Sequence, residues 1–202
     1  MTAARLLCSG FGGHLWRDDR GAQLVEFAVT LPLMMVFVVG IFDFSGAFTL
    51  KQKLTNIARD AARAAAAEPA SDLGNTLPVS VSDTFQAVKN YLATNNINDC
   101  GIAAPALSTG LTWKSTATGN GCVTPGLILT INRGYYFPPT GASLPSVSCT
   151  SQPPAGHTAI IGTCVSIQYP YPWRFGRVAS LLGSAVALPT QISGTAVAMN
   201  EN

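Results

Sequence analysis

The sequence predicts an α+β protein in which a long N-terminal helix precedes a small disulfide-bonded domain with an antiparallel sheet and short helices. Three observations predict this fold class. An apolar run near the N-terminus continues into an alanine-rich helical pattern that ends before Pro69. Short β-branched runs bounded by glycine and proline fill the second half of the chain, as is typical of strands. Four of the five cysteines follow the apolar run.

The composition favours an exported domain over a cytosolic enzyme. Charged residues make up 11% of the 202 residues, whereas about 25% is typical of soluble domains. From residue 115 onward the charged side chains are Arg133, Arg174, Arg177 and Glu201. No basic stripe is interleaved with aromatic residues, so the sequence predicts no nucleic-acid partner.

Residues 1–21 form a short polar leader, and the apolar run FAVTLPLMMVFVVGIFDFSGAF follows at 27–48. A membrane-spanning helix needs about 20 residues. The run reaches that length when Asp43 is tolerated near its far end, which predicts a transmembrane segment over about 24–48. Asp43 is then expected at the outer interface, or else as a second intramembrane contact.

The helix is expected to continue past the membrane as an amphipathic extension over about 51–67. Apolar residues recur there at helical spacing, and polar residues occupy the other side. Alanine is the best helix former, and Pro69 supplies the stop. We therefore predict one continuous helix from about Leu24 to Ala67, within the unit 22–68, half in lipid and half in water. The apolar positions are Leu54, Ile57, Ala58, Ala61 and Ala65.

Residues 69–202 are predicted to form the α+β domain. The stretch SDTFQAVKNYLATNN predicts a short helix capped by Ser82, with Phe85, Val88 and Leu92 as its apolar stripe. Strands are predicted at GLILTINRGYYF, TAIIGTCVSIQYPY and TQISGTAVAMN. Between the last two, FGRVASLLGSAVAL predicts one more short helix.

The cysteine pattern predicts two disulfides among Cys100, Cys122, Cys149 and Cys164, with Cys8 free. The absence of a C-x-x-C pair argues against a zinc site. The alternative is four reduced, buried cysteines. All three pairings are permitted, and sequential pairing is favoured because neighbours in sequence meet most easily.

The disulfides also orient the helix, because such bonds persist in oxidising compartments. Lysines and arginines flank the apolar run on both sides, so the positive-inside rule gives no orientation. The small N-terminal head and the disulfides together place the N-terminus in the cytoplasm and the domain outside it.

Glu26 needs an explanation, because a charge at the bilayer centre costs about 2.5–3.5 kcal/mol on insertion scales. A secretory signal cut after Ser45-Gly46-Ala47 would strand the amphipathic extension. A plain uncut anchor would leave Glu26 without a role.

The stretch GAQLVEF, residues 21–27, resembles a type IV prepilin processing site, in which a small residue precedes a hydrophobic helix with an early glutamate. Over about 17–68 the chain resembles the TadE-like family, pilin-like assembly proteins of the bacterial tight-adherence (Tad or Flp) pilus. A basic residue, Gly21, Glu26 and Phe27, Leu-Pro at 31–32 and an Ala/Arg-rich continuation occur in the expected order. The final SGTAVAMNEN is similar to the closing strand of that family.

The resemblance implies that a prepilin peptidase cuts between Gly21 and Ala22. Glu26 and Phe27 would then be assembly contacts with other pilin-like subunits at the bacterial inner membrane. The alternative for Glu26 is a glutamate that stays hydrated at the membrane edge. The implied function is a minor pilin-like subunit or an assembly factor, and the alternative is an uncleaved, anchored extracytoplasmic binding module. No catalytic, cofactor-binding or metal-ligating residue is predicted.

Overall fold

The computed structural model describes residues 19–136, 149, 161–176 and 188–201. These residues form two helices followed by five strands. They are α1 (Asp19–Ala67), α2 (Val79–Thr94), β1 (Ala106–Thr109), β2 (Thr112–Ala117), β3 (Leu127–Tyr136), β4 (Ile161–Pro170) and β5 (Gln191–Met199). The predicted α+β fold class, with a long N-terminal helix and an antiparallel sheet, is confirmed.

The five strands form one sheet in the order β1-β2-β3-β4-β5, and every neighbouring pair is antiparallel. The three β-branched runs in the sequence correspond to β3, β4 and β5. The edge hairpin β1-β2 turns at Gly110, whose φ of 55° lies in the left-handed region that glycine adopts without steric cost.

The second half of α1 packs against one face of this sheet. Leu54, Ile57, Ala58, Ala61 and Ala65 are all buried, as their helical spacing predicted. The sheet contributes alternate residues of its strands, because successive side chains point to opposite faces. These buried residues include Leu127, Leu129, Ile131, Val165 and Ile167.

Helix α2 begins three residues before the predicted cap, so the prediction that Ser82 caps it is wrong. Pro78 occupies the N-cap position, and the Ser82 N–H already donates to the Pro78 carbonyl. The Val79 N–H donates to Oδ2 of Asp72 over 2.6 Å. The carboxylate of Asp72, in the loop before α2, thus accepts a hydrogen bond from a terminal N–H of the helix, which is the role predicted for Ser82. The predicted apolar stripe of α2 is buried.

Two disulfides are present, as predicted, and their pairing is sequential. Cys100 pairs with Cys122 at a Cα–Cα distance of 5.5 Å, and Cys149 pairs with Cys164 at 5.7 Å. The first bond joins the chain after α2 to the β2–β3 connection, and the second joins residue 149 to β4. Cys8, most of the leader and most of the predicted helix at 175–188 lie outside the described residues.

A buried arginine holds the C-terminal end of α1 against the sheet. Arg133 on β3 donates from Nη2 to the Glu68 carbonyl over 2.8 Å, and from Nη1 to Oγ1 of Thr163 over 3.2 Å. The last carbonyls of a helix have no partner within the helix, so this guanidinium supplies one. Burial lowers the pKa of Arg133, and the charges of Asp72 and Glu68 oppose that effect.

Candidate functional site: the exposed N-terminal helix

The first half of α1 extends away from the domain with its apolar side chains exposed. No described side chain between residues 21 and 39 is buried, and Gly40 is the first buried residue. Phe27 is 62% exposed and Phe37 is 60% exposed. Exposed apolar patches of this extent mark membrane or protein contacts. By length and composition, the part of α1 from Gln23 to Ala67 is able to cross a membrane, as is typical of a single-pass anchor.

The exposed apolar stretch has the length that a bilayer requires. A helix rises 1.5 Å per residue, so the segment from Ala22 to Phe42 measures about 30 Å. The hydrocarbon core of a bilayer is also about 30 Å thick. The domain therefore starts to contact the helix where such a segment would leave the hydrocarbon.

The residues of the predicted processing site lie at the free end of this helix. Gly21 is inside α1, which begins at Asp19 rather than near Leu24, and a Cβ added there would meet nothing within 4 Å. Ala22 follows it in the same helix. Among the residues that the structure describes, none packs on the Gly21 position.

The predicted assembly contacts, Glu26 and Phe27, are also exposed. The side chain of Glu26 forms neither a hydrogen bond nor an ion pair with any residue that the structure describes. Glu26 is thus a carboxylate on a bare apolar helix, and any partner for it has to come from outside the described part of this chain.

Asp43 is where the exposed helix meets the domain. Its side chain is 6% exposed. Oδ2 accepts a hydrogen bond from the Phe175 N–H over 2.8 Å, and the Tyr171 hydroxyl lies 3.3 Å from Oδ1 and 3.0 Å from the Asp43 carbonyl oxygen. Burial raises the pKa of Tyr171, and the charge of Asp43 and the hydrogen bond to it act in the same direction. Asp43 thus fastens the segment after β4 to the helix.

Four aromatic rings surround this contact, and we call Phe44, Tyr171, Trp173 and Phe175 the aromatic collar. The Phe44 and Trp173 ring centroids are 5.2 Å apart, and those of Tyr171 and Trp173 are 4.8 Å apart. Such spacings are those of favourable aromatic pairs. The collar therefore packs as one cluster at the point where the helix enters the domain.

Two glycines of α1 let the collar approach the helix backbone. A Cβ at Gly40 would lie 3.1 Å from Cδ2 of Phe175, and one at Gly46 would lie 2.9 Å from the Tyr171 hydroxyl oxygen. The contact of Asp43 with the segment after β4 and the collar were not predicted from the sequence. The available signal was YPYPWRF, residues 169–175, a dense aromatic stretch directly after a strand.

The family comparison matches the part of the chain that contains this exposed helix. Residues 21–63 match the TadE-like protein family. The match starts at Gly21 and runs through the exposed helix, Asp43 and most of the buried half of α1. It confirms the resemblance, and the TadE-like family implies involvement in Tad pilus assembly. A search of curated proteins and a search of solved structures each found no match.

The TadE-like segment holds no clustered metal ligands. Within 19–136, 149, 161–176 and 188–201, no group of three or more His, Cys, Asp or Glu residues could hold a metal ion. TadE-like proteins are structural and assembly components of the pilus, and the exposed helix is a surface suited to such contacts.

Proposed function

We propose that this chain is a pilin-like minor subunit or assembly factor of a Tad/Flp pilus. It enters the bacterial inner membrane through α1, with its N-terminus in the cytoplasm and its domain outside. A prepilin peptidase cuts it between Gly21 and Ala22. The observation that carries this proposal is an exposed apolar helix of membrane-spanning length, matched by the TadE-like family, whose early carboxylate has no described partner.

Cleavage would give Glu26 a charged partner. The new α-ammonium on Ala22 would lie four residues before Glu26, and residues at this spacing lie on one face of a helix. An ionised carboxylate is costly in lipid unless it is paired. In an assembly, the α-ammonium of a neighbouring subunit pairs with Glu26. This ion pair favours one axial register between the subunits.

The position of Gly21 within α1 suits proteolysis. A peptidase binds extended backbone, so the helix has to open at the scissile bond. Glycine is about 1 kcal/mol less favourable than alanine in a helix, and opening here breaks no contact with the domain. Both features lower the free energy needed to expose the bond.

The size of the domain supports a minor or assembly role. Major Flp pilins are very short, whereas residues 69–202 of this chain form an extracytoplasmic domain in addition to α1. Such a domain gives this subunit a surface that a helix-only pilin does not have.

N-terminal sequencing of membrane-extracted protein tests the proposal, with and without the cognate peptidase. We expect a mature N-terminus at Ala22 when the peptidase is present, and an intact leader when it is absent or when Gly21→Val is introduced. Val29→Leu, on the same exposed helix, is the matched control and should be cut normally. An intact leader in the presence of active peptidase would instead support the uncleaved binding module.

A further inference from the structure

We propose that the aromatic collar and Arg174 dock the domain on the phospholipid surface of the membrane that α1 crosses. This inference goes beyond pilus assembly and holds whether or not the chain is cut. It assigns a partner, the headgroup region of the bilayer leaflet on the domain side, to a surface that no predicted assembly contact uses.

The collar lies along α1 at the level where the helix would leave the bilayer. When Ala22 lies at one hydrocarbon boundary, the other boundary falls near Phe42, because that segment measures about 30 Å. The domain contacts the helix at Gly40, Asp43 and Gly46. The collar therefore lies at the level of the headgroups and cannot move far from them while Asp43 holds it.

The chemistry of the collar is a further argument. Tryptophan and tyrosine are enriched at membrane–water interfaces, where an apolar ring enters the lipid and a polar group stays hydrated or hydrogen-bonded. Trp173 and Tyr171 are half-buried, and Nε1 of Trp173 donates to the Pro189 carbonyl over 2.6 Å. The neighbouring Phe42 and Phe48 are 75% and 63% exposed, which extends the apolar surface across this level of the helix.

A cleft beside the collar has the charge that a phospholipid needs. It has a volume of about 520 Å³ and is lined by Val39, Phe42, Asp43, Tyr171, Pro172 and Arg174. Arg174 is exposed and forms no ion pair with a described residue. Its guanidinium fits a phosphate, while Val39 and Phe42 offer an apolar wall to an acyl chain.

The acidic member of the cleft does not oppose this assignment. Both carboxylate oxygens of Asp43 already lie within hydrogen-bonding distance of Tyr171 or Phe175 groups. Asp43 therefore maintains the cleft, and Arg174 is left as the group available to an anion. Because the apolar wall continues directly into the exposed membrane helix, lipid is the occupant that the geometry favours over a second copy of this chain.

Depth-dependent fluorescence quenching tests the proposal on the full-length chain. The Trp16→Phe variant is reconstituted in vesicles of phosphatidylcholine and phosphatidylglycerol whose acyl chains carry bromine near the headgroup end or near the methyl end. Trp113 remains as an internal reference, because its side chain is fully buried. The matched control also carries Trp173→Phe, which keeps an aromatic ring in the collar.

We expect bromine near the headgroups to quench the Trp173-dependent emission more strongly than bromine near the methyl ends, with no quenching in the control. Equal emission with and without brominated lipid would overturn the proposal, and so would stronger quenching from the methyl ends. If quenching is absent and two chains cross-link to each other through position 173, the collar is a contact between subunits instead.

Arg174→Gln tests the charge contribution separately. Wild-type quenching should increase when phosphatidylglycerol replaces phosphatidylcholine, because the anionic surface attracts the guanidinium. In Arg174→Gln this increase should be lost, while quenching in phosphatidylcholine alone stays the same. An unchanged preference for phosphatidylglycerol would refute the phosphate contact.

Discussion

Gly194 on β5 lies directly against the backbone of α1, so Gly194→Ala is a direct test of how they pack. An added Cβ would lie 2.4 Å from the carbonyl carbon of Leu54, 2.5 Å from the Thr55 nitrogen and 2.6 Å from the Leu54 oxygen. All three are backbone atoms, which cannot rotate out of the way. Since ordinary contact begins at 3.4 Å, the helix has to move by about 1 Å (3.4 minus 2.4).

That movement loosens the layer in which Leu54, Ile57, Ala58 and Ala61 contact the sheet. Overpacking of a core costs about 1–3 kcal/mol, and the reduced freedom of the unfolded chain returns about 0.4–1 kcal/mol. Because the clash is with backbone, the upper end of the cost applies, and we expect Gly194→Ala to lower the free energy of unfolding by about 2 kcal/mol (about 3 minus about 1). With a urea slope of 1–3 kcal/mol/M, the midpoint should fall by about 1 M.

Urea unfolding in detergent measures this effect in a Trp16→Phe/Trp173→Phe background, where the emission comes from buried Trp113. Gly74→Ala is the matched control, because a Cβ there meets nothing within 4 Å; its free energy of unfolding should stay within about 0.5 kcal/mol of wild type. The reasoning fails if Gly194→Ala unfolds at the wild-type midpoint, since the helix would then not rest on that strand.

Substitutions at Arg133, Tyr171 and Glu26 give three further predictions. Arg133→Leu should cost about 1–3 kcal/mol of stability, because it leaves the Glu68 carbonyl without its partner; unchanged urea unfolding would exclude that role. The raised pKa of Tyr171 means that its stabilisation is complete below pH 10 and is lost as the pH rises through the folded-state value. Melting temperatures above pH 10 should therefore fall more steeply in wild type than in Tyr171→Phe, and parallel curves would contradict this. Glu26→Gln and Glu26→Leu should both be cut and inserted normally but fail to support pili in a strain without the wild-type copy; normal piliation of Glu26→Leu would favour a merely hydrated glutamate, and failed cutting would assign Glu26 to peptidase recognition.

Local patterns in the sequence predicted the elements whose structure depends on local periodicity. The buried stripe of α1 could be read from its spacing, because one helix face points to the core. The strands β3 to β5 could be read from β-branched runs between glycine and proline. The start of α2 could not be predicted from a local pattern. Its first N–H, that of Val79, donates to Asp72, which lies seven residues earlier in the chain.

The residues of the candidate site were likewise predicted only where they lie in one local motif. Gly21 and Glu26 lie in one short motif, so the sequence was sufficient to select them. The contact between Tyr171 and Asp43 joins residues 128 positions apart, and no local pattern indicates which loop covers a carboxylate. The disulfide pairing was left open for a related reason, since spacing alone allows three connectivities.

The continuity of α1 has a mechanical consequence. The helix runs without interruption for 49 residues, a length of about 74 Å, and its second half is the centre of the domain core. Axial pull applied near Glu26 is therefore transmitted along this helix, past Pro32, to the sheet at Gly194 and Arg133. Under the proposed topology, a displacement of the membrane segment along its axis moves the domain on the other side of the bilayer with it.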